Sequence, residues 1–223
     1  MPQVEFPAAD ELRLEGNLAT PDEPNGGAAV ICHPHPRHGG SMDSWMMSVL
    51  QRALVDDGWL ALRFNFRGVG NSEGSYEKGE GELQCVAGAV DYVLEQAGGD
   101  ATLLVGGWSF GAHTSLRYAL GDQRVAGWFG VGLPYRTREI EVPELDLDAL
   151  ARWTVPKLFL HGSRDQIASL EAIEELVDAA GEPKRLRIVD GGDHFLAAHG
   201  DVLGGELRSF ARLVLQGSGH ARP

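Results

Sequence analysis

A serine between paired glycines, Gly107-Trp108-Ser109-Phe110-Gly111, is the feature that most restricts how this chain can fold. Residues 101–106 before it form an apolar run of strand length, and residues 112–120 after it carry apolar side chains at helical spacing. A strand that passes into a helix through one serine holds that serine on a sharp, strained turn. This context favours a nucleophilic serine over a chance match in a chain with 30 glycines.

Strand-like and helix-like segments alternate along most of the chain, which predicts an α/β fold with a mostly parallel sheet and helices on both faces. Eight strands are predicted, at 4–8, 12–19, 28–33, 59–65, 101–106, 125–131, 157–161 and 184–189. The second of these has Leu12, Leu14, Gly16 and Leu18 at alternate positions, so the first two are expected to form an antiparallel hairpin at the sheet edge. Helices are predicted at 44–57, 81–95, 112–120, 169–180 and 195–216, the last with a break at Gly204-Gly205.

The length of 223 residues predicts a single domain, 1–223, with a frayed tail at 217–223. An acidic stretch at 134–155 is longer than an ordinary connection and is interpreted as an insertion at the position of a lid. About twenty residues are too few for a cap of several helices. We therefore expect little or no lid and an open site.

The formal net charge of −13 argues against nucleic acid and anionic membranes as partners, because both favour a basic surface. The first residues lack the basic and apolar regions of a signal peptide, and no apolar run reaches 18 residues. The two cysteines do not form a disulfide framework. These features predict a cytoplasmic protein that acts on a small molecule, and they leave its oligomeric state open.

Two further residues follow later strands in the order required by a serine nucleophile on such a turn. A serine hydroxyl needs a base within hydrogen-bond reach, and ligands of parallel sheets bind beyond the carboxyl ends of the strands. Asp165 follows the strand at 157–161, and His194 follows the last strand. The order Ser109, Asp165, His194 predicts a catalytic triad. Asp193 is a competing acid, but its position next to His194 would force its side chain to fold back.

Three loops together make the chain resemble the α/β-hydrolase superfamily over nearly its whole length. They are His33-Pro-His-Pro-Arg-His-Gly-Gly40, Phe64-Asn-Phe-Arg-Gly-Val-Gly70 and the serine motif at 107–111. Their combination is similar to that of small bacterial serine hydrolases. The resemblance implies a cytosolic serine hydrolase of ester-type substrates that needs no cofactor.

The same resemblance places half of the oxyanion hole in the loop after the strand at 28–33. Pro34 and Pro36 have no N–H group, so the backbone amide of His35 is the expected donor there. The second donor is expected to be the backbone amide of Phe110. Trp108 is a candidate contact for the substrate, although core packing is the more common role of such an aromatic side chain.

A metal-dependent hydrolase is the main alternative from another mechanistic class. His33, His35 and His38 lie within six residues and approach a known metal-binding pattern. Arg37, however, occupies the position where that pattern has an aspartate, and its fixed positive charge would oppose a second metal ion. We therefore predict no metal and no cofactor. The expected reaction is the cleavage of a small carboxylic ester with a short acyl chain, with thioesterase or peptidase activity as alternatives that use the same triad.

Overall fold

The computed structural model describes residues 3–219, which form one eight-stranded sheet flanked by helices. The strands are β1 (Gln3–Pro7), β2 (Arg13–Ala19), β3 (Gly27–Cys32), β4 (Leu60–Phe64), β5 (Thr102–Trp108), β6 (Val125–Val131), β7 (Lys157–Gly162) and β8 (Lys184–Val189). The helices are α1 (Trp45–Val55), α2 (Gly81–Gln96), α3 (Phe110–Ala119), α4 (Leu147–Arg152), α5 (Leu170–Ala179) and α6 (Gly200–Ser218), with a 3₁₀ turn at Pro36–His38.

The strand order is β1-β2-β4-β3-β5-β6-β7-β8. Strand β2 pairs antiparallel with both β1 and β4, and the strands from β4 to β8 are parallel. The predicted fold class, an eight-stranded and mostly parallel sheet with an antiparallel edge, is therefore confirmed. Because six parallel strands end at the same edge, the loops that follow β3, β4, β5, β6, β7 and β8 meet there.

Side chains of the central strands alternate between two buried cores, one on each face of the sheet. On β3, Val30 and Cys32 contact the core formed with α2, α3 and α5, whereas Ile31 contacts the core formed with α1 and α6. All six residues of β3 are buried, as expected for a strand covered on both faces. The two cores hold the sheet from both sides and so position the edge at which the loops after the parallel strands meet.

Three details of the chain differ from the sequence-based expectations. The predicted break at Gly204-Gly205 is wrong, because α6 continues without interruption from Gly200 to Ser218. The stretch at 134–155 contains a helix that was not predicted, α4, whose first turn is capped by Asp146 through a 2.8 Å hydrogen bond from the Ala149 amide. Of the tail expected to fray at 217–223, residues 217 and 218 belong to α6, and residues 220–223 lie outside the described residues.

Among residues 3–219, no helix is both long enough and apolar enough to cross a membrane.

Candidate active site

Ser109 lies on the turn between β5 and α3 with a backbone φ of 54° and ψ of −121°. Its amide donates a 2.8 Å hydrogen bond to the Val131 carbonyl, which ties the turn to β6. A Cβ atom at Gly107 would lie 2.3 Å from the Cys32 carbonyl oxygen, and one at Gly111 would lie 2.1 Å from the same atom. Both glycines are required because β3 passes directly beneath the turn.

Ser109, His194 and Asp165 form a continuous hydrogen-bonded relay at the carboxyl edge of the sheet. Ser109 Oγ lies 2.9 Å from His194 Nε2, and His194 Nδ1 lies 2.7 Å from Asp165 Oδ2. All three side chains are buried. The three residues follow β5, β8 and β7, so the sheet brings together groups that are up to 85 positions apart in sequence.

Asp165 is held in place through both of its carboxylate oxygens. Oδ1 accepts hydrogen bonds from the Ile167 and Ala168 amides at 2.9 Å each, while Oδ2 faces His194. Burial alone raises the pKa of Asp165, but the hydrogen bond and charge of His194, with the Ala168 amide, bring that pKa below its usual value. The carboxylate is therefore ionised at neutral pH and oriented toward the imidazole.

The competing acid, Asp193, has a different role in the structure. Its Oδ1 accepts hydrogen bonds from the amides of Phe195 and Leu196, at 3.0 and 2.8 Å. This arrangement closes the turn after His194 rather than contacting the imidazole. Of the two aspartates weighed from the sequence, the structure brings Asp165 to His194.

His35 lies in the loop after β3 and precedes the 3₁₀ turn Pro36–His38. Its carbonyl accepts hydrogen bonds from the His38 and Gly40 amides, which closes the loop beside the serine. Within residues 3–219, neither the His35 amide nor the Phe110 amide donates a hydrogen bond to another protein group. Phe110 is the first residue of α3, where a helix amide has no partner within its own helix.

Tyr76 is a neighbour of this loop that sequence reasoning missed. Its hydroxyl lies 3.0 Å from His35 Nε2, and its ring centroid lies 5.8 Å from that of Phe110. The His35 ring is itself 5.0 Å from the Phe110 ring. The side chains beside both candidate oxyanion amides therefore pack in one cluster, which nothing in the spacing of these residues indicated.

The loop that carries Tyr76 is anchored by buried polar groups. Glu15 accepts hydrogen bonds from the side chains of Asn65 and Asn71 at 2.7 and 2.8 Å. Arg67 is buried and pairs with Asp10 at 2.8 Å. Because these partners come from the antiparallel edge of the sheet, that edge fixes a loop of the candidate site.

Gly132 is the second residue at the site that sequence reasoning did not find. It follows β6 with a φ of +53°, and a Cβ atom there would lie 3.2 Å from His194 Cε1 and 3.3 Å from His194 Nδ1. It would also lie 3.5 Å from Asp165 Oδ2. This position needs glycine both for its backbone conformation and for the space that the triad occupies.

The three histidines considered as metal ligands are used differently. His33 Nε2 accepts a hydrogen bond from the Phe66 amide, and its Nδ1 donates to the Pro34 carbonyl. His35 Nδ1 accepts from the Arg37 amide, so its Nε2 carries the proton toward Tyr76. The rings of His33 and His35 thus use both of their nitrogens in contacts within the protein. Neither is free to bind a metal ion together with His38. Within residues 3–219, no three His, Cys, Asp or Glu side chains are grouped for a metal ion.

A cavity of about 360 Å³, here called the catalytic cavity, opens onto Ser109. Its walls include His35, Trp45, Trp108 and Phe195. Trp108 also donates a 3.1 Å hydrogen bond from Nε1 to the His194 carbonyl, so the predicted substrate contact both lines the cavity and holds the loop of the base. The Phe195 side chain is 53% exposed at the mouth, which adds an apolar surface next to His194.

Comparison with known proteins places this chain in a hydrolase family. The family model described as an alpha/beta hydrolase domain matches residues 29–204. An uncharacterized protein of Rickettsia prowazekii is 30% identical over 200 residues, which cover 87% of this chain and 82% of that protein.

Two solved structures with related sequences are described as serine hydrolases. An alpha-beta serine hydrolase homologue from Coxiella burnetii has a TM-score of 0.80 and 27% identity, and the match covers 93% of this chain and 96% of that one. A serine hydrolase without a lid from Xanthomonas campestris has a TM-score of 0.80 and 26% identity, with coverage of 100% and 96%. The second likeness agrees with the connection between β6 and β7 in this chain, whose only helix among the described residues is the six-residue α4.

Proposed function

This chain belongs to the alpha/beta hydrolase domain family, and we propose that it is a serine hydrolase that cleaves a small carboxylic ester through an acyl-enzyme intermediate. The observation that carries the proposal is the relay from Ser109 Oγ to His194 Nε2, at 2.9 Å, and from His194 Nδ1 to Asp165 Oδ2, at 2.7 Å. A neutral serine hydroxyl is a weak nucleophile, and a base at this distance removes that limitation.

In the first half of the reaction, Ser109 Oγ attacks the carbonyl carbon of the ester while His194 Nε2 takes the hydroxyl proton. The carbonyl electron pair moves onto oxygen and forms a tetrahedral oxyanion. Asp165 keeps the imidazole in the tautomer that leaves Nε2 unprotonated, and its charge stabilises the imidazolium. When the carbon–oxygen bond to the alcohol breaks, His194 donates the proton to the leaving oxygen.

In the second half, His194 removes a proton from water, and the resulting hydroxide attacks the acyl group on Ser109. Collapse of this second tetrahedral species returns the proton to Ser109 Oγ and releases the carboxylic acid. The amides of His35 and Phe110 are proposed to stabilise both oxyanions. Loss of one such donor typically lowers turnover by about 10²–10³.

The volume and lining of the catalytic cavity support a small ester as the substrate. Its volume of about 360 Å³ lies near the lower end of the range for ligand pockets. Its lining is mainly apolar near Trp108 and Phe195, and the connection at 134–155 carries only the six-residue helix α4. An acyl chain of a few carbons fits such a site better than a long lipid chain, which would need more covered apolar surface.

Labelling with a fluorophosphonate probe tests the nucleophile. The wild-type protein should react, and Ser109→Ala should not, while an exposed serine on α6 provides the matched control, Ser209→Ala. Circular dichroism verifies that each variant is folded. Labelling of Ser109→Ala at the wild-type rate would refute the assignment.

A substrate panel tests the reaction class. Acetate, butyrate and decanoate p-nitrophenyl esters are compared with a matched thioester and anilide, with and without a chelator. The proposal predicts the highest kcat/KM for the short esters and no effect of the chelator. A peak at decanoate, or preference for the thioester or anilide, would change the substrate class.

A further inference from the structure

A second cavity, of about 520 Å³, lies beside the catalytic cavity under the segment 134–147. Its walls are mostly apolar and include Tyr135, Val142 and Leu145. Ile140 lines both cavities, so the two spaces adjoin at that side chain. This volume is large enough for a group of about ten non-hydrogen atoms and is not used by the reaction described above.

His113 forms part of the second cavity and is the buried polar group in its wall. It lies one helical turn after the nucleophile, and its amide donates to the Ser109 carbonyl. The residue is 1% exposed, and the neighbouring Pro143 carbonyl acts to raise the pKa of its ring, against the larger effect of burial. Nδ1 has no hydrogen-bond partner among the described residues.

The protonation state of His113 determines which kind of hydrogen-bonding group its Nδ1 lacks. Burial, with the positive charge of Arg117, lowers its pKa to about 3, so the ring is neutral at physiological pH. A neutral imidazole has one N–H group and one lone pair, and with the proton on Nε2 the unpartnered Nδ1 presents the lone pair. A buried acceptor without a donor is unfavourable, and a ligand hydroxyl or N–H group would satisfy it.

The segment that covers His113 has few backbone hydrogen bonds, so we expect it to open more easily than the strands and helices around it. From Leu133 to Leu145, the described structure contains no main-chain to main-chain hydrogen bond. The segment is held instead by side chains, such as Thr137 Oγ1 on the Ile167 carbonyl at 2.5 Å and Arg136 on Glu175. Segments with few backbone hydrogen bonds open at low cost, which gives a ligand access to Nδ1.

The charges at the rim restrict the ligand further. Glu141 and Glu144 line the second cavity, and Arg136, the cation among the described residues that line it, is already paired with Glu175. A carboxylate or phosphate on the ligand would be repelled by the two glutamates. An uncharged group is therefore favoured.

We propose that the second cavity binds the alcohol half of the ester, and that this half is an uncharged apolar group with a hydroxyl or N–H that donates to His113 Nδ1. The proposal rests on the proposed function, in which a short acyl group occupies the catalytic cavity. It makes His113 a residue that determines specificity.

Binding of two matched alcohols tests the inference without turnover. Isothermal titration calorimetry compares 2-(4-hydroxyphenyl)ethanol with 2-phenylethanol on the wild-type protein. The first should bind about three- to tenfold more tightly because of one additional hydrogen bond. His113→Phe should abolish this preference, whereas His199→Phe, the same change outside both cavities, should keep it. Equal affinities in the wild type, or an unchanged preference in His113→Phe, would overturn the proposal.

A second variant keeps the test decisive if His113→Phe does not fold. Leu145→Trp fills the second cavity from the segment side and does not touch the catalytic cavity. It should weaken binding of both alcohols at least fivefold while Ser109 still reacts with a fluorophosphonate. Wild-type binding by this variant would also overturn the proposal.

Hydrolysis of the two corresponding acetate esters separates the inference from the proposed function. The hydroxylated ester should have the higher kcat/KM in the wild type only. If neither ester is hydrolysed but the hydroxylated alcohol binds in a His113-dependent way, the proposed function is wrong and the binding role of the second cavity is supported. If both esters are hydrolysed with equal kcat/KM in wild type and His113→Phe, the inference about His113 fails alone.

Discussion

Tyr76 holds the His35 side chain through a hydrogen bond of 3.0 Å from His35 Nε2 to the tyrosine hydroxyl. The opposite nitrogen, Nδ1, accepts from the Arg37 amide at 3.1 Å, so the ring is fixed from two sides. Because the backbone of His35 belongs to the loop beside Ser109, we propose that the phenol of Tyr76 helps to hold the His35 amide in position, which would make Tyr76 a positioning residue.

Tyr76→Phe should lower kcat about tenfold for p-nitrophenyl acetate and change KM less than about twofold, because a misdirected amide is lost mainly from the transition state. The free energy of unfolding should fall by only about 1 kcal/mol, the contribution of one hydrogen bond. Steady-state kinetics and urea unfolding measure the two effects. Tyr92→Phe, which removes a hydroxyl outside the site, is the matched control, and an equal kcat for Tyr76→Phe and Tyr92→Phe would contradict the role.

Asp165→Asn should lower kcat by about 10⁴, because an amide at this position stabilises the wrong imidazole tautomer. Asp193→Asn retains the oxygen that accepts from the Phe195 and Leu196 amides, so its kcat should fall less than about tenfold. Kinetics of the two variants on one ester provide the comparison. A larger loss in Asp193→Asn would exchange the roles of the two acids.

Gly132→Ala should impair both activity and stability. An alanine at a φ of +53° costs about 1–2 kcal/mol, and its Cβ would lie 3.2 Å from His194 Cε1. Displacement of the imidazole should lower kcat between about ten- and a hundredfold. Gly205→Ala is the control and should change stability in the opposite direction. Its Cβ would lie within α6 with no atom within 4 Å, so the free energy of unfolding should rise by about 0.5–1 kcal/mol while kcat stays unchanged. A fully active Gly132→Ala would show that the triad tolerates a methyl group there.

Acid should weaken the fold through buried neutral histidines. Burial lowers the pKa of His33 to about 4, whereas an unfolded histidine titrates near 6.5. The unfolded state therefore binds the additional proton first as pH falls. The contribution of His33, about 3 kcal/mol, is complete above pH ~6.5, declines as pH drops, and is absent below about 4.

Urea unfolding between pH 7 and 4.5 measures this dependence. The free energy of unfolding of the wild type should decrease more steeply with falling pH than that of His33→Gln, whose amide does not titrate. Parallel slopes for the two proteins would show that His33 is not protected from protonation in the folded state.

The sequence was sufficient to predict the strands because each central strand is a short apolar run bounded by turn residues. The sequence was also sufficient to predict that Ser109, Asp165 and His194 lie together, since the carboxyl ends of parallel strands meet at one edge. The break predicted in α6 was wrong for an energetic reason. Each glycine costs a helix about 1 kcal/mol, and the buried apolar face with Leu203 and Leu207 outweighs that cost.

Tyr76 and Gly132 could not be predicted in the same way. Tyr76 reaches His35 across 41 positions, and its role depends on how the loop after β4 folds over the site. Gly132 needs glycine because of atoms contributed by residues 165 and 194. The roles of both residues depend on contacts with residues that are distant in sequence. Neither residue belongs to a local sequence pattern that could have indicated these contacts.

The strand order has a consequence for how activity develops as the chain is made. Ser109 follows β5, but His194, its proposed base, follows β8, which among residues 3–219 pairs only with β7 at the sheet edge. A nascent or truncated chain that ends before β8 therefore contains the nucleophile without its base. If the proposed mechanism holds, we expect hydrolysis to require the docking of β8 onto β7, so a chain shortened to end before β8 should show no triad-dependent turnover.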